Sequence, residues 1–171
     1  MNVRRLAVVV NPRGGKRNGL RVLERVRPIF DAANIELEVH VTERAGHATE
    51  ITKTLDLRPF SGICSVGGDG TFHEVANGLM QRNDSVSIPI GIIPAGTGNS
   101  VSQHLQFDDP MEAARRIVAG RFEPLDVVRV ALQGQSAYLY GGNPVARSWC
   151  DGFRIALSPS VSSPEAKNEN K

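Results

Sequence analysis

Residues 67–71 read Gly-Gly-Asp-Gly-Thr, between an apolar run at 63–66 and an amphipathic stretch that begins at Phe72. That order describes a strand, a glycine turn and a helix start. Glycines let the backbone come close to a bulky anion, and the first helical turn presents N–H groups without intrahelical acceptors. Asp69 adds a carboxylate that can meet a cation or a hydroxyl. The chemistry that suits these residues is the holding of a nucleotide's phosphates, although one such turn also arises for purely conformational reasons.

Two further loops strengthen the reading. Asn11-Pro12-Arg13-Gly14-Gly15-Lys16 follows the apolar run 6–10, and Pro94-Ala95-Gly96-Thr97-Gly98-Asn99 follows the run 88–93. In a parallel sheet the carboxyl ends of the strands share one edge, so loops after three strands can converge on one ligand. Backbone N–H groups around 67–71 are the candidate cradle, with the hydroxyls of Thr71 and Thr97 as added donors. Thr71 can equally satisfy its own helix terminus.

The elements that must position these loops follow from periodicity. Strands are expected at 6–10, 35–41, 63–66, 88–93 and 125–130, and helices at 17–33, 45–57, 72–80, 99–105 and 111–119. Pro28 predicts a kink in the first helix or a second segment starting near it. Val75, Ala76, Leu79 and Met80 form the stripe that docks the third helix on the sheet. Asp109-Pro110 signals a helix start and Gly120 a stop. Repeated alternation of strand and helix indicates an α/β layered fold without internal repeats.

Composition bounds the partners. The 171 residues, 40% of them hydrophobic, can bury one sizeable core. A formal charge of +2, from 20 basic and 18 acidic residues, supplies no field for nucleic acid, and 5% aromatic content offers no base-stacking platform. Arg4, Arg5, Arg13, Lys16, Arg17 and Arg21 crowd the first loop and its flanks; a solvated surface is the plain reading, preferred for Arg4, Arg5 and Arg21, while Lys16 can equally meet a phosphate or an acidic lipid. Cys64 and Cys150 lack metal-site spacing and no signal peptide precedes them, which points to a reducing compartment, with Cys64 a core residue. No apolar run approaches the ~18 residues of a spanning helix, so membrane contact is expected to be peripheral.

Four ordered motifs carry a resemblance: Val10-Asn11-Pro12-Arg13-Gly14-Gly15-Lys16, Thr42-Glu43-Arg44-Ala45-Gly46-His47-Ala48, Gly67-Gly68-Asp69-Gly70-Thr71-Phe72-His73-Glu74-Val75-Ala76-Asn77-Gly78 and Pro94-Ala95-Gly96-Thr97-Gly98-Asn99. From about residue 8 to 130 the chain resembles the catalytic domain of the diacylglycerol kinase family, which includes sphingosine, ceramide and bacterial lipid kinases. The resemblance implies a Rossmann-like layered parallel sheet with flanking helices, as in the N-terminal domains of NAD kinases and diacylglycerol kinases. It implies use of ATP and Mg2+, a lipid acceptor (sphingoid base, ceramide or diacylglycerol), and a cytoplasmic enzyme with peripheral membrane contact. By the same resemblance Asn11 and Thr42 face the nucleotide, and Gly67, Gly68, Gly70, Thr71, Glu74, Gly96, Thr97, Gly98 and Asn99 complete its site. Asp69 is the expected catalytic residue. In sphingosine-kinase-like members this aspartate is viewed as the base for the lipid hydroxyl; in bacterial members the motif serves nucleotide and Mg2+, and the base lies later in the chain. Bland alternatives stand beside these: Asn11 as a turn cap, Thr42 as a strand end, Glu74 as a first-turn acid. His47 and His73 are not assigned catalysis, and His40 and His104 carry no signal.

The chain departs from the family after Val130. Family members continue into a second, mostly β lobe that forms the lipid pocket. Here 131–140 reads as one more strand closing a nucleotide-binding lobe at 1–140, 141–157 as a divergent segment, and the Ser/Pro-rich and polar stretch 158–171 as a disordered tail. The expectation is a lipid kinase domain truncated before its lipid-binding half, with a slight preference for a sphingoid base as acceptor. A catalytically silent nucleotide-binding module is one alternative. NAD kinase, which shares the Gly-Gly-Asp-Gly-Thr turn but not the other two loops, is another. Oligomeric state is not legible.

Overall fold

Leu6 to Val10 are buried without exception, the continuous apolar run of a strand covered on both faces. In the computed structural model the described residues are 4–15, 18–84 and 86–120, together with the backbone of four further strands up to residue 156. In chain order the elements are β1 (Arg4–Val10), α1 (Gly19–Ala32), β2 (Ile35–Val41), α2 (His47–Thr54), β3 (Gly62–Gly67), α3 (Asp69–Met80), β4 (Ile90–Pro94), α4 (Ser100–His104), α5 (Pro110–Ala119), β5 (Phe122–Pro124), β6 (Val127–Leu132), β7 (Gln135–Tyr140) and β8 (Arg154–Ala156). Lys16, Cys150, the tail 158–171 and the divergent segment 141–157 apart from β8 lie outside the described residues.

The sheet runs β2-β1-β3-β4-β8-β5, with β2, β1, β3 and β4 parallel. The expected layered parallel sheet is therefore present. β8 adds to β4 in parallel through Ile90 and Ile155, and β5 pairs antiparallel with β8. The expected single strand at 131–140 is divided: β6 runs on to Leu132 and pairs antiparallel with β7.

Strand alternation splits the core into two layers. Leu6, Val8, Val10, Cys64, Val66 and Ile93 face α1 and α5, meeting Val22, Val26, Phe30, Ala114 and Ile117. Ala7, Val9, Ile63, Ile90 and Ile92 face the other way, onto Phe72, Val75, Ala76 and Leu79 of α3, with Ala48 of α2 and Val101 of α4. Burial of each large aliphatic or aromatic side chain in these layers contributes about 1.5–3 kcal/mol relative to exposure. Met80, expected on the docking stripe, is only partly buried, and Phe72 takes the position one turn earlier.

Helix α1 continues through Pro28 as a single segment, so no second helix starts there. The proline and Glu24, whose carbonyl loses a donor, are both exposed, which leaves water to satisfy that oxygen. Helix α3 begins at Asp69, three residues before the periodic stretch, with Gly68 as its N-cap. Asp109 caps α5 by accepting from the N–H groups of Met111 and Glu112, and Gly120 ends it with φ 65°.

Helix α2 is fastened to α3 along its length. Gly78 allows the approach, since a Cβ there would lie 2.7 Å from the Thr49 carbonyl oxygen and from Thr52 Cβ. At the far end Arg82, its side chain only 7% exposed, donates through Nη1 to the carbonyls of Thr52 (2.6 Å), Lys53 (3.1 Å) and Leu55 (2.8 Å). Thr52 and Lys53 stand in the last turn of α2, whose carbonyls lack intrahelical donors, and Leu55 is its C-cap. Arg82→Ala is expected to lower stability by about 1.5–3 kcal/mol in chemical denaturation, because the charged donor leaves partly buried acceptors without a partner. An unchanged denaturation midpoint would show that water replaces it.

Among the described residues no helix is long and apolar enough to cross a membrane.

Candidate functional site

In the order β2-β1-β3-β4 the chain leaves β1 towards one edge and returns at β3 towards the other, so the loops after β1 and β3 part and leave a crevice at the carboxyl ends. Hydrogen bonds carry the ladder one residue past each strand: Asn11 N–H donates to the Val66 carbonyl at 2.9 Å, Thr42 N–H to Val10 at 2.9 Å, and Ala95 N–H to Gly67 at 2.8 Å. The loop starts are thus fixed in register by the sheet itself.

Beyond the strands the three glycine loops touch through backbone. A Cβ on Gly96 would stand 2.4 Å from Gly68 Cα, and one on Gly15, which has φ +56°, would stand 2.8 Å from the Ala95 carbonyl oxygen. One on Gly14 would come 3.6 Å from Gly67 Cα. The bends at 11–15, 67–71 and 94–99 therefore gather at one rim. Together with residues 42–45 after β2 they enclose a cleft of about 520 Å3, within the ~300–1,000 Å3 typical of small-molecule sites.

Most residues singled out from the sequence line this cleft: Asn11, Thr42, Gly68, Asp69, Gly70, Thr71, Glu74, Gly96, Thr97 and Gly98. Gly67 and Asn99 are not among its lining residues. Gly67 is the buried last residue of β3, where a Cβ would meet Thr71 Oγ1 at 2.2 Å. Asn99, at φ 52°, staples its own loop by accepting from Gly96 N–H and donating to the Gly96 carbonyl, both at 3.0 Å. Lys16 is outside the described residues. Sequence reasoning did not assign Arg13, Gly14, Gly15, Glu43, Arg44 and Ala45 to the site; for 43–45 the position at the carboxyl end of β2 is the signal that could have found them.

The polar groups divide by what already holds them. Thr71 is buried and its Oγ1 accepts from Asn11 Nδ2 at 3.4 Å, which joins the first loop to the second. Arg44 lines the cleft but forms a bidentate pair with Glu50, at 2.7 and 2.6 Å. Arg13 is exposed at the cleft and has no carboxylate partner among the described residues. The N–H groups of Asp69 and Gly70 precede the first intrahelical bonds of α3 and find no acceptor among the described residues. The floor of the cleft is thus a donor surface suited to anionic oxygens, with Gly70 open above it: a Cβ there would meet nothing within 4 Å.

Both acidic residues contributed by α3 serve as caps for other helices. Asp69 Oδ2 accepts from Ser100 N–H at 2.9 Å and Oδ1 from Val101 N–H at 3.0 Å, at the start of α4. Glu74 Oε2 accepts from Ala48 N–H at 3.1 Å in the first turn of α2, and the Thr49 hydroxyl donates to the Glu74 carbonyl at 3.0 Å. Partial burial works to raise the Asp69 pKa, but donation from Val101, Ser100 and the Ser100 hydroxyl outweighs it and holds the group below the ordinary aspartate value. A carboxylate with a lowered folded pKa contributes stability that is present above the unfolded value and is lost as pH falls through the folded one. The Ser100 and Val101 amide resonances are accordingly expected to titrate below the ordinary aspartate midpoint in an NMR pH series. A transition at or above that midpoint would contradict the bonding described.

Among the described residues no three His, Cys, Asp or Glu side chains gather to hold a metal. His47 Nδ1 accepts from Glu43 N–H at 3.1 Å, a local turn contact. Cys64 is buried between the layers, and that burial pushes its thiol up to about 12, as expected of a core residue.

Comparison with known proteins follows the same residues. The sequence profile of the diacylglycerol kinase catalytic domain matches residues 5–130. A sphingoid long-chain bases kinase 1 of Arabidopsis thaliana is 46% identical over 132 residues, covering 74% of this chain and 17% of that protein. A sphingosine kinase 1 of the same plant is 38% identical over 146 residues, covering 79% of this chain and 30% of that one. The crystal structure of a diacylglycerol kinase from Bacillus anthracis superposes with a TM-score of 0.64 at 30% identity, over 78% of this chain and 47% of that one. The chain therefore spans about a third or less of the length of these curated relatives.

Proposed function

Because the chain belongs to the diacylglycerol kinase catalytic domain family, we propose that it is the nucleotide-binding lobe of a lipid kinase, one that uses ATP to phosphorylate a lipid hydroxyl. The observation that carries this is the meeting of three glycine loops around a donor-lined cleft at the switch point of the sheet. Phosphoryl transfer asks the protein chiefly for positioning and for stabilisation of phosphate charge, which is what such a floor supplies. Asn11, Thr42, Gly68, Gly70, Thr71, Glu74 and Gly96 to Gly98 are the residues that would surround the nucleotide, with Gly67 and Asn99 shaping the loops from behind. Arg13 is the cation on hand for a phosphate.

Mg2+ fits this arrangement without a protein cage. It ordinarily keeps several waters and takes one or two carboxylates together with phosphate oxygens, so a cleft without three clustered ligands is no obstacle. When bound, the ion would neutralise phosphate charge.

The acceptor reading rests on the relatives. Those with the higher identities are named as kinases of sphingosine and sphingoid bases, and the bacterial structure as a diacylglycerol kinase. A sphingoid base is the favoured acceptor, approached from the cytoplasmic face of a membrane by peripheral contact. Alignment of its hydroxyl with the nucleotide's terminal phosphate requires a wall opposite the nucleotide.

The test incubates the purified chain with labelled ATP and Mg2+, separately with sphingosine, ceramide, diacylglycerol or NAD. Labelled lipid, sphingosine above the others, supports the full reading. ATP binding without any product supports a nucleotide lobe that is silent by itself. Labelled NADP would overturn the lipid assignment, and failure to bind ATP would overturn the nucleotide site.

A further inference from the structure

We propose that Glu50, outside the cleft, is a positioning residue for the nucleotide: it holds the Arg44 guanidinium as a flat wall at the end of the cleft that takes the base and ribose. The inference rests on the nucleotide-site reading and deepens it by giving the cleft a direction.

Packing decides that direction. The donor floor at Gly68 to Gly70 follows β3, and the two glycine loops beside it crowd that end: Gly96 lies on Gly68, Gly15 on Ala95 and Gly14 over Gly67, each through backbone. Room for the rest of a nucleotide is left towards residues 42–45, which follow β2. In the sheet β2 stands two strands from β3, about 10 Å at the usual spacing, a span that suits a ribose and base whose phosphates rest on the floor.

Arg44 is the group at that end with a surface to offer. No aromatic ring lines the cleft among the described residues, so the cationic planes available to a base are the guanidinium groups of Arg13 and Arg44. Arg13 belongs to the first loop, beside the floor, whereas Arg44 stands just after β2. Glu50 grips Arg44 from the first turn of α2: Nη1 donates to Oε1 at 2.7 Å and Nη2 to Oε2 at 2.6 Å. The matched charge makes this guanidinium a weak partner for phosphate, a task Arg13 can take, and leaves its plane and its remaining N–H donors for a base or a ribose hydroxyl. Both side chains are more than half exposed, so an unpaired Arg44 would sample many rotamers; two parallel hydrogen bonds narrow them. Glu50 has a firm footing for this, because α2 is anchored on α3 by Glu74 at the Ala48 N–H and by Arg82 at the carbonyls of Thr52 and Lys53.

The experiment measures, by calorimetry, the binding of MgATP and of magnesium tripolyphosphate to the 171-residue chain, to Glu50→Ala, Glu50→Gln and Arg44→Ala, and to the chain carrying both alanines. Glu50→Ala is expected to weaken MgATP binding about fivefold and to leave tripolyphosphate binding undiminished. Glu50→Gln keeps one acceptor oxygen and is expected to fall between. Once Arg44 is alanine, loss of Glu50 is expected to cost nothing more, since it acts through the arginine. A residue that merely stabilised α2 would weaken both ligands alike and would do so with or without Arg44. Undiminished MgATP affinity in Glu50→Ala, an equal loss for tripolyphosphate, or a fully additive loss in the double variant would overturn the proposal while the nucleotide reading stands. Should tripolyphosphate not bind at all, the double variant decides alone. An unaltered chain that fails to bind MgATP ends the nucleotide reading and this inference with it.

Discussion

Gly70→Ala is expected to raise the melting temperature of the chain and, at the same time, to weaken MgATP binding by about tenfold or more. The two effects have separate causes. Gly70 lies in the first turn of α3, and a Cβ there meets nothing within 4 Å, so alanine enters without a clash. Replacing glycine where the backbone already suits alanine stabilises by about 0.4–1 kcal/mol, chiefly by restricting the unfolded chain, which corresponds to about 1–4 °C at this size. The space that is empty in the protein is the space assigned to phosphate oxygens, so the added methyl keeps the ligand from the backbone N–H groups. Thermal denaturation and calorimetry on one preparation read both outcomes. Higher stability with undiminished affinity would mean that the phosphates do not rest on this turn.

Gly96→Ala is expected to act with the opposite sign on stability and the same sign on binding. Its Cβ would lie 2.4 Å from Gly68 Cα, 2.9 Å from Asn99 Oδ1 and 3.0 Å from Gly68 N, contacts that backbone atoms can relieve only by moving apart. Overpacking of this kind costs about 1–3 kcal/mol. The strain falls on the contact that brings the 67–71 and 94–99 loops together, so MgATP affinity is expected to drop by about 5- to 150-fold alongside a lower denaturation midpoint. Wild-type affinity in Gly96→Ala would show that the two loops need not touch to hold the ligand.

The glycine loops were readable from sequence because each follows an apolar run, and strand ends in a parallel sheet share an edge; residues 11–15, 67–71 and 94–99 do meet. The helix start at Asp69 was not readable, since apolar periodicity begins only at Phe72 and the N-cap is Gly68, with no side chain to signal a cap. Pro28 suggested an interruption, but its place on the exposed side of α1 lets the helix pass. Strand β8 joins the sheet through a single register pair with β4, a long-range contact for which a local sequence pattern has no signature.

The role of the acidic residues was the least legible. Asp69 and Glu74 have the residue type and position of catalytic or metal-binding carboxylates, and only coordinates reveal that each accepts backbone donors from another helix. A clue existed in Gly46, an N-cap that cannot cap and implies an acceptor from elsewhere. Arg82 is a similar case. A basic residue just past a helix reads as surface, yet its side chain is almost buried beneath the carbonyls of α2.

The most direct test of the shared rim is a titration of the isotopically labelled chain with MgATP, following backbone amides by NMR. Amides of residues 13–15, 68–71 and 96–98 are expected to shift together and to saturate with one dissociation constant. Shifts confined to one loop, different midpoints for the three, or perturbations on a remote face would contradict a single nucleotide site built by all three.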